Sequence, residues 1–178
     1  LVLIGLIALF TAPRLGSAVE RDGPPPGNVR AWLIAAIGCI VLQLILGATM
    51  RHQHAGLAIP DFPLAYGRLW PATDQAALDL ANQRRVDYRD PKPITAFQIH
   101  LHMAHRLGAV LTLTVVWIAV WKIRSTSGSG WIRRLAMFWG VLLVSQAFLG
   151  AATVWSNKAA DVATLHVLLG AMSLITGS

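Results

Sequence analysis

Residues 31–50 read AWLIAAIGCIVLQLILGATM, an apolar run of 20 residues without one charged side chain. A helix rises roughly 1.5 Å per residue, so a helix of this length crosses a hydrocarbon core about 30 Å thick. Backbone groups find no water inside a bilayer and must bond within their own helix. The run therefore predicts a transmembrane helix.

Further apolar segments extend this prediction to a protein that spans the membrane several times. They lie at 1–11, 97–121, 135–155 and 162–175. Only 13% of the 178 residues are charged, whereas soluble domains carry about a quarter. We predict an all-α membrane protein, built as an antiparallel four-helix transmembrane bundle that follows part of one more transmembrane helix.

The formal net charge of +7 does not indicate nucleic-acid binding. The basic residues flank apolar spans and form no patch with interleaved aromatic side chains, so the expected partner is a lipid bilayer and not a nucleic acid. Cys39 is the single cysteine of the chain, which excludes an internal disulfide. Five tryptophans mostly lie near span ends, as in an aromatic belt, and receive no role in a site: Trp117, Trp121, Trp131, Trp139 and Trp155.

Loop charges predict the orientation of the bundle. Residues 122–134 carry four basic residues and no acidic one, which places this loop in the cytoplasm. Alternation then makes residues 13–30 a cytoplasmic linker and residues 51–96 a long extracytoplasmic loop. In this organisation residues 1–12 end a preceding transmembrane helix and residues 31–178 form the bundle.

Both ends of the chain are expected to be truncated. The first residue is Leu1 instead of Met, and the last apolar segment has only 14 residues. That is too short to cross about 30 Å of hydrocarbon. We interpret the sequence as a fragment of a longer protein.

Two segments of the bundle repeat one plan. The pattern Q-x-x-L-G-A occurs at 43–48 and again at 146–151. Each copy is followed by a loop and by a helix with a histidine shortly before Gly-Ala, namely His105 in the first hairpin and His166 in the second. Two hairpins of one plan indicate a pseudo-twofold axis, and the Gly-Ala pairs favour close helix packing.

The two histidines are candidate metal ligands. His105 and His166 lie a few residues inside helices that start from the same side, so both sit roughly 6 to 12 Å below that surface. Two imidazoles at similar depth on different helices can bind the iron of a planar cofactor from both faces. The alternative is a pair of structural histidines that hydrogen-bond across helices or lie near the interface.

Two neighbours of His105 belong to the same candidate site. Arg106 needs an anionic partner, which a haem propionate or a lipid phosphate could supply. His102 lies three residues before His105 on the same helix face. It is a candidate for a group that supports the ligand, donates to a propionate or carries protons, and a solvated interfacial histidine is the alternative.

The segment RHQHAGLAIPDFPLAYGRLWP at 51–71 is apolar for a loop and is stiffened by three prolines. Such a segment is expected to pack over the mouth of the bundle. Its His52 and His54 are weak ligand candidates. Residues 76–83 are expected to form a short surface helix.

These motifs together resemble the haem A synthase family (CtaA type). The resemblance rests on G-A-T-M-R-H-Q-H-A-G-L-A-I-P-D-F-P-L-A-Y-G at 47–67, H-M-A-H-R at 102–106, Q-A-F-L-G-A at 146–151 and A-T-L-H-V-L-L-G-A at 163–171. It covers about residues 30–178. The family implies a pseudosymmetric eight-helix protein with one haem site in each four-helix half. It also implies an oxidoreductase that oxidises the haem O ring methyl to a formyl group, which gives haem A for haem-copper terminal oxidases.

Carried over to this sequence, the resemblance makes His105 and His166 the axial ligands of the haem iron, with Arg106 and His102 as further cofactor-binding residues. The catalytic half of the family has a carboxylate three residues before its ligand, and here that position is His102. No acidic residue occurs between Asp90 and Asp161. The resemblance therefore favours the C-terminal half, which binds haem b for electron transfer, and assigns no residue to catalysis, although His102 is a candidate. The alternative cofactor is haem O or haem A, as substrate or product.

The expected partners are the N-terminal half of the same protein, a haem O synthase or an electron donor. The expected location is the bacterial cytoplasmic membrane, with the haem site toward the extracytoplasmic side. The fragment alone is expected to be inactive. The alternatives are a membrane cytochrome b that only carries electrons and a helical bundle whose histidines are structural.

Overall fold

The computed structural model describes residues 24–85 and 92–178, together with Ser17. This part of the chain holds no β-strand, and its elements are a 3-10 helix at Ala55–Leu57 and the α-helices α1 (Gly27–His52), α2 (Gln75–Gln83), α3 (Ala96–Thr126), α4 (Gly130–Trp155) and α5 (Ala160–Gly177). The helices α1, α3, α4 and α5 are each long and apolar enough to cross a membrane. The predicted all-α membrane bundle is confirmed. The segment expected to end a preceding helix, 1–12, lies outside the described residues, as does most of the linker expected at 13–30.

The four long helices form a closed ring. In order around the bundle, α1 packs against α3, α3 against α4, α4 against α5, and α5 against α1. Helices α1 and α4 therefore lie diagonally opposite, and so do α3 and α5. The central core is built from small and branched side chains of three helices, which are Ala36, Ile40, Val116, Ala119, Val120, Ala136 and Leu143, together with Trp139.

The helices are longer than the apolar runs that predicted them. The loop expected at 122–134 shrinks to residues 127–129, because α3 continues through its basic end and α4 begins before Arg133. Lysine and arginine are good helix formers, and their long stems let the charged heads reach water from within a helix. Helix α1 likewise begins at Gly27, directly after Pro26 and inside the expected linker.

The connection from α1 to α2, residues 53–74, is called the long loop. Its residues Ala58, Ile59 and Ala65 are buried and pack against Ile99 and Met103 of α3. The expectation that this segment packs over one end of the bundle is confirmed. The short surface helix expected at 76–83 is also present as α2.

The carboxylate of Asp61 stabilises the turn at the tip of the long loop. Asp61 accepts hydrogen bonds from the backbone N–H groups of Tyr66 (2.7 Å) and Gly67 (2.8 Å). Both residues have a left-handed backbone, with φ of 51° and 75°. The Tyr66 hydroxyl donates to the Ala58 carbonyl. Burial and the nearby Asp61 charge raise the pKa of Tyr66 to about 12.

One of the tryptophans expected in the aromatic belt lies in the interior of the bundle instead. Trp139 is only 2% exposed and donates from its indole nitrogen to the Ser173 carbonyl at 2.8 Å. A Cβ at Gly177 would come within 2.5 Å of the same ring. Trp139 is therefore a buried contact between α4 and α5 and does not belong to a surface belt.

Candidate functional site

The structure places the two predicted ligand histidines at the same end of the bundle. His105 lies nine residues after the start of α3 and His166 six residues after the start of α5. These distances correspond to about 14 and 9 Å along helices that begin at the same end of the bundle. Both side chains are partly buried. The helices α3 and α5 are diagonal, and the His105 ring lies against Gly47 of α1 whereas the His166 ring lies against Gly150 of α4.

His105 is held by two residues of α1. The Gln43 side-chain nitrogen donates to the His105 backbone carbonyl at 2.8 Å and lies 3.1 Å from the ring nitrogen Nδ1. The ring carbon Cε1 would be 3.3 Å from a Cβ at Gly47. Gly47 thus leaves space for the His105 ring, and the side chain of a larger residue would occupy that space.

His166 is held in the same way by two residues of α4. The Gln146 side-chain nitrogen donates to the His166 backbone carbonyl at 2.7 Å. A Cβ at Gly150 would lie 3.3 Å from the His166 ring carbon Cε1. The two copies of the Q-x-x-L-G pattern therefore make the same contacts, because the glutamine and the glycine of each copy contact one histidine.

The two rings differ in one contact. His166 Nδ1 lies 3.1 Å from the backbone carbonyl of Gln146. A carbonyl only accepts, so this contact requires the ring proton on Nδ1 and leaves the lone pair on Nε2. Donation of the second ring nitrogen to a carbonyl is the usual arrangement of a histidine that binds a metal.

These residues fit a haem that takes one ligand from each face. Neutral imidazoles suit iron, and the glycines at 47 and 150 give each ring room against the neighbouring helix. The side-chain oxygens of Gln43 and Gln146 are buried without a hydrogen-bond partner. Among residues 24–85 and 92–178, no three His, Cys, Asp or Glu side chains gather as a metal site. The arrangement offers two imidazoles as ligands, one from each of two diagonal helices.

Arg106 connects the site to the long loop. Its terminal nitrogens donate to the backbone carbonyls of Leu64 (2.8 Å) and Asp61 (2.6 Å). The guanidinium carbon lies 5.3 Å from the centre of the Phe62 ring. The Phe62 carbonyl accepts from the indole nitrogen of Trp155 at 3.3 Å. The sequence left a propionate or a lipid phosphate open as the partner of Arg106, and the structure pairs it with loop carbonyls.

The other histidines separate into buried and exposed ones. His102 is 3% exposed, lies against the backbone of Ala55, and has no partner at Nδ1. His100 is exposed, with Nε2 3.4 Å from the Thr73 hydroxyl. His52 and His54 are exposed at the end of α1 and the start of the long loop.

Sequence reasoning missed Gln43 and Gln146 as parts of the site. The signal was present, because each is a polar residue at the same place in two repeated apolar spans. Polar side chains at membrane depth are rare without a task. The glycine four residues after each glutamine, however, indicates close helix packing and not a contact with a histidine.

Comparisons with known proteins agree with one another. A family model described as cytochrome oxidase assembly protein matches residues 1–177. The relatives named "Heme A synthase" include one from Allorhizobium ampelinum, 28% identical over 160 residues, which cover 85% of this chain and 40% of the relative. Another, from Bradyrhizobium sp., is 30% identical over 168 residues, which cover 93% and 43%. The chain thus spans less than half the length of these relatives. No solved structure matches the chain.

Proposed function

The chain belongs to the cytochrome oxidase assembly protein family, and from this premise we propose that it is one haem-binding half of a membrane oxidoreductase that makes haem A. In the complete protein the ring methyl of haem O would become a formyl group, and the product would serve haem-copper terminal oxidases. The relatives named "Heme A synthase" support this reaction.

For this half we propose haem b binding between His105 and His166, and electron transfer as its task. The observation that carries the proposal is that equivalent residues contact the two histidines. Each has a glutamine on its backbone carbonyl and a glycine against its ring, from helices on opposite sides of the bundle. A haem held by His105 and His166 would supply one-electron chemistry, because its iron can alternate between two oxidation states.

The chain's own residues would orient the group and keep water away from it. The Gln146 carbonyl keeps the ring proton of His166 on Nδ1. The hydrogen bonds of Arg106 to backbone carbonyls attach the long loop to α3 at the end of the bundle where both histidines lie. The absence of Asp and Glu from residues 91–160 supports electron transfer over catalysis in this half.

One observation favours a second candidate, in which this half holds haem O or haem A as substrate or product. His102 stands where the family's catalytic carboxylate is expected, and it is buried with Nδ1 unpartnered. A buried histidine with an open nitrogen can accept or donate a proton. On either candidate the partners would be the N-terminal half of the same protein and a haem O synthase or electron donor. The location would be the bacterial cytoplasmic membrane, with the site toward its extracytoplasmic side.

A reduced-minus-oxidised absorbance spectrum of the chain in detergent tests the proposal, with pyridine extraction to identify the haem. His105→Ala and His166→Ala should each abolish a low-spin b-type signal. The matched control is His100→Ala, an exposed histidine of the same helix, which should keep the signal. Extraction of haem O or haem A would favour the second candidate. A wild-type chain that takes up no haem would leave structural histidines as the remaining explanation.

A further inference from the structure

A groove with a volume of about 560 Å³ lies on the outer surface of the bundle, between α3 and α4. It is called the outer groove, and its lining residues are Leu113, Thr114, Trp117, Ile118 and Trp121 of α3 and Val144 of α4. Thr114 is the lining residue with a hydroxyl, and this hydroxyl donates to the Val110 carbonyl of its own helix at 2.9 Å. The outer groove is therefore suited to an apolar occupant.

The depth of the outer groove matches one leaflet of a bilayer. Trp121 lies five residues and Leu113 thirteen residues before Thr126, the last residue of α3. At roughly 1.5 Å per residue, these positions are about 8 and 20 Å from that end of the helix. The outer groove is thus about 12 Å long, which is less than half of a hydrocarbon core about 30 Å thick. Its occupant lies within the leaflet next to the connection between α3 and α4.

The shape of the lining favours a hydrocarbon chain over another helix. Transmembrane helices pack through small residues that let their backbones approach closely. The outer groove presents two large side chains instead, since Trp117 is 38% and Trp121 67% exposed. The small residue at this place, Gly140 of α4, already has a partner, because a Cβ there would lie 3.3 Å from the Trp117 ring. A flexible acyl chain can follow such an uneven surface.

Basic side chains lie at the end of the outer groove that is nearest the membrane surface. Arg124 follows Trp121 by three residues on the same face of α3, and Arg133 precedes Val144 by eleven residues, about three turns of α4. Both arginines are exposed. The Lys122 ammonium nitrogen lies 5.8 Å from the centre of the Trp121 ring. Within residues 24–85 and 92–178, the acidic residues are all at the opposite end of the bundle, namely Asp61, Asp74, Asp79 and Asp161.

We propose that the outer groove is a binding site for one anionic phospholipid. An acyl chain lies against Trp117 and Trp121, and the phosphate is bound by Arg124 and Arg133. The guanidinium fork matches the oxygens of a phosphate, and basic pockets between transmembrane helices bind anionic headgroups. The site is at the opposite end of the bundle from the two histidines, so the inference goes beyond the proposed function.

Native mass spectrometry of the chain in detergent tests the headgroup part of the site. The chain is incubated without haem in an equimolar mixture of phosphatidylglycerol and phosphatidylcholine that carry the same acyl chains. Phosphatidylglycerol should be the first lipid retained, with a preference on the order of 10-fold or more, because two arginines each contribute about fivefold. Arg124→Gln should reduce this preference about fivefold. The matched control is Arg30→Gln, which removes an exposed charge at the same end of the bundle but on α1, and which should keep the preference.

A pair of valine variants tests the acyl-chain part of the site. Val144→Phe places a larger side chain in the outer groove and should reduce the retention of phosphatidylglycerol. Val141→Phe makes the same change at another exposed position of α4 that does not line the outer groove, and it should retain the lipid as wild type does.

Three outcomes would overturn the inference. Equal retention of the two lipids by wild type would leave the outer groove as an ordinary lipid-facing surface. Equal losses in Arg124→Gln and Arg30→Gln would assign the preference to the overall charge of this end. Equal retention by Val144→Phe and Val141→Phe would show that no acyl chain occupies the outer groove. Because haem is absent from these measurements, none of the outcomes bears on the proposed function.

Discussion

At the scale of single residues, the candidate site depends on glycines as much as on histidines. Gly108 faces the Gln43 amide so closely that a Cβ at Gly108 would lie 2.4 Å from the amide oxygen. A Cβ at Gly38 of α1 would have no atom within 4 Å. Both are helical glycines, so the intrinsic gain in helix propensity on substitution by alanine is similar. The difference between the two substitutions isolates the space that Gln43 occupies.

We therefore expect Gly108→Ala to destabilise the chain by about 1 to 3 kcal/mol, as overpacking usually does, and to weaken haem binding with it. Gly38→Ala should leave stability unchanged or raise it by less than about 1 kcal/mol. Thermal unfolding in detergent measures both. Equal stabilities of the two variants would show that Gln43 does not occupy the place that the structure gives it.

Tyr66 makes the long loop sensitive to alkaline pH. Its pKa is raised from 10.0 to about 12 by burial and by the charge of Asp61. A raised pKa means that the folded loop holds the phenol proton more tightly than the unfolded chain does. The stabilisation is complete below pH 10 and is lost as the pH rises from 10 to about 12.

Ultraviolet titration of tyrosinate should show this late step, which Tyr66→Phe removes. The chain has two tyrosines, so the variant leaves only the step of Tyr88. A wild-type curve that superimposes on twice the variant curve would mean that Tyr66 is not buried beside Asp61 as the structure places it.

At the scale of elements, the contact of α4 with α5 centres on one tryptophan. Trp139 is 2% exposed and bonds the Ser173 carbonyl, whereas its neighbour Phe138 is 47% exposed on the outside of the bundle. Trp139→Ala leaves a cavity and removes the hydrogen bond to the Ser173 carbonyl, which together should cost about 3 kcal/mol or more. Phe138→Ala removes an aromatic ring from the same helix and should cost about 1 kcal/mol or less.

Unfolding measurements of both variants in the same detergent decide this prediction. The low-spin haem signal should also weaken in Trp139→Ala, because α5 carries His166. If Phe138→Ala is the more damaging change, α4 is rotated relative to the structure described above.

The helices were predictable and their ends were not, for a physical reason. An apolar run that excludes charge fixes where a chain crosses hydrocarbon, so every long helix of the described residues was found from the sequence. The ends depend on how far lysine and arginine extend a helix into water, and apolarity does not report on that. Helix α3 accordingly runs to Thr126, five residues beyond the predicted end at Trp121.

The site was predictable only in part. The depth of His105 and His166 follows from counting residues along a helix, whereas the partner of Arg106 depends on how the long loop folds back. No local pattern indicates that the carbonyls of Asp61 and Leu64 face its guanidinium. Contacts to backbone carbonyls carry no residue-type signal, so they remain hidden until the fold is known.

At the scale of the whole molecule, loop charge predicts the orientation of the bundle in the membrane. The short connection between α3 and α4 is flanked by Lys122, Arg124, Arg133 and Arg134, and no acidic residue lies near it in sequence. Basic residues within short loops stay on the cytoplasmic side. The long loop and both histidines lie at the other end of the helices, which is the side where we propose that haem is bound.

Cysteine labelling tests this orientation directly. In a Cys39→Ala background, Ser125→Cys places a thiol at the basic end and Ser156→Cys places one at the turn between α4 and α5, and both positions are exposed. A thiol reagent that does not cross membranes should label Ser156→Cys in intact cells, and Ser125→Cys only after permeabilisation. The reverse pattern would put the histidines on the cytoplasmic side and contradict the positive-inside argument. Because each variant is the other's control, equal labelling of both in intact cells would point to leaky cells, and the assay would then be repeated on sealed vesicles of known orientation.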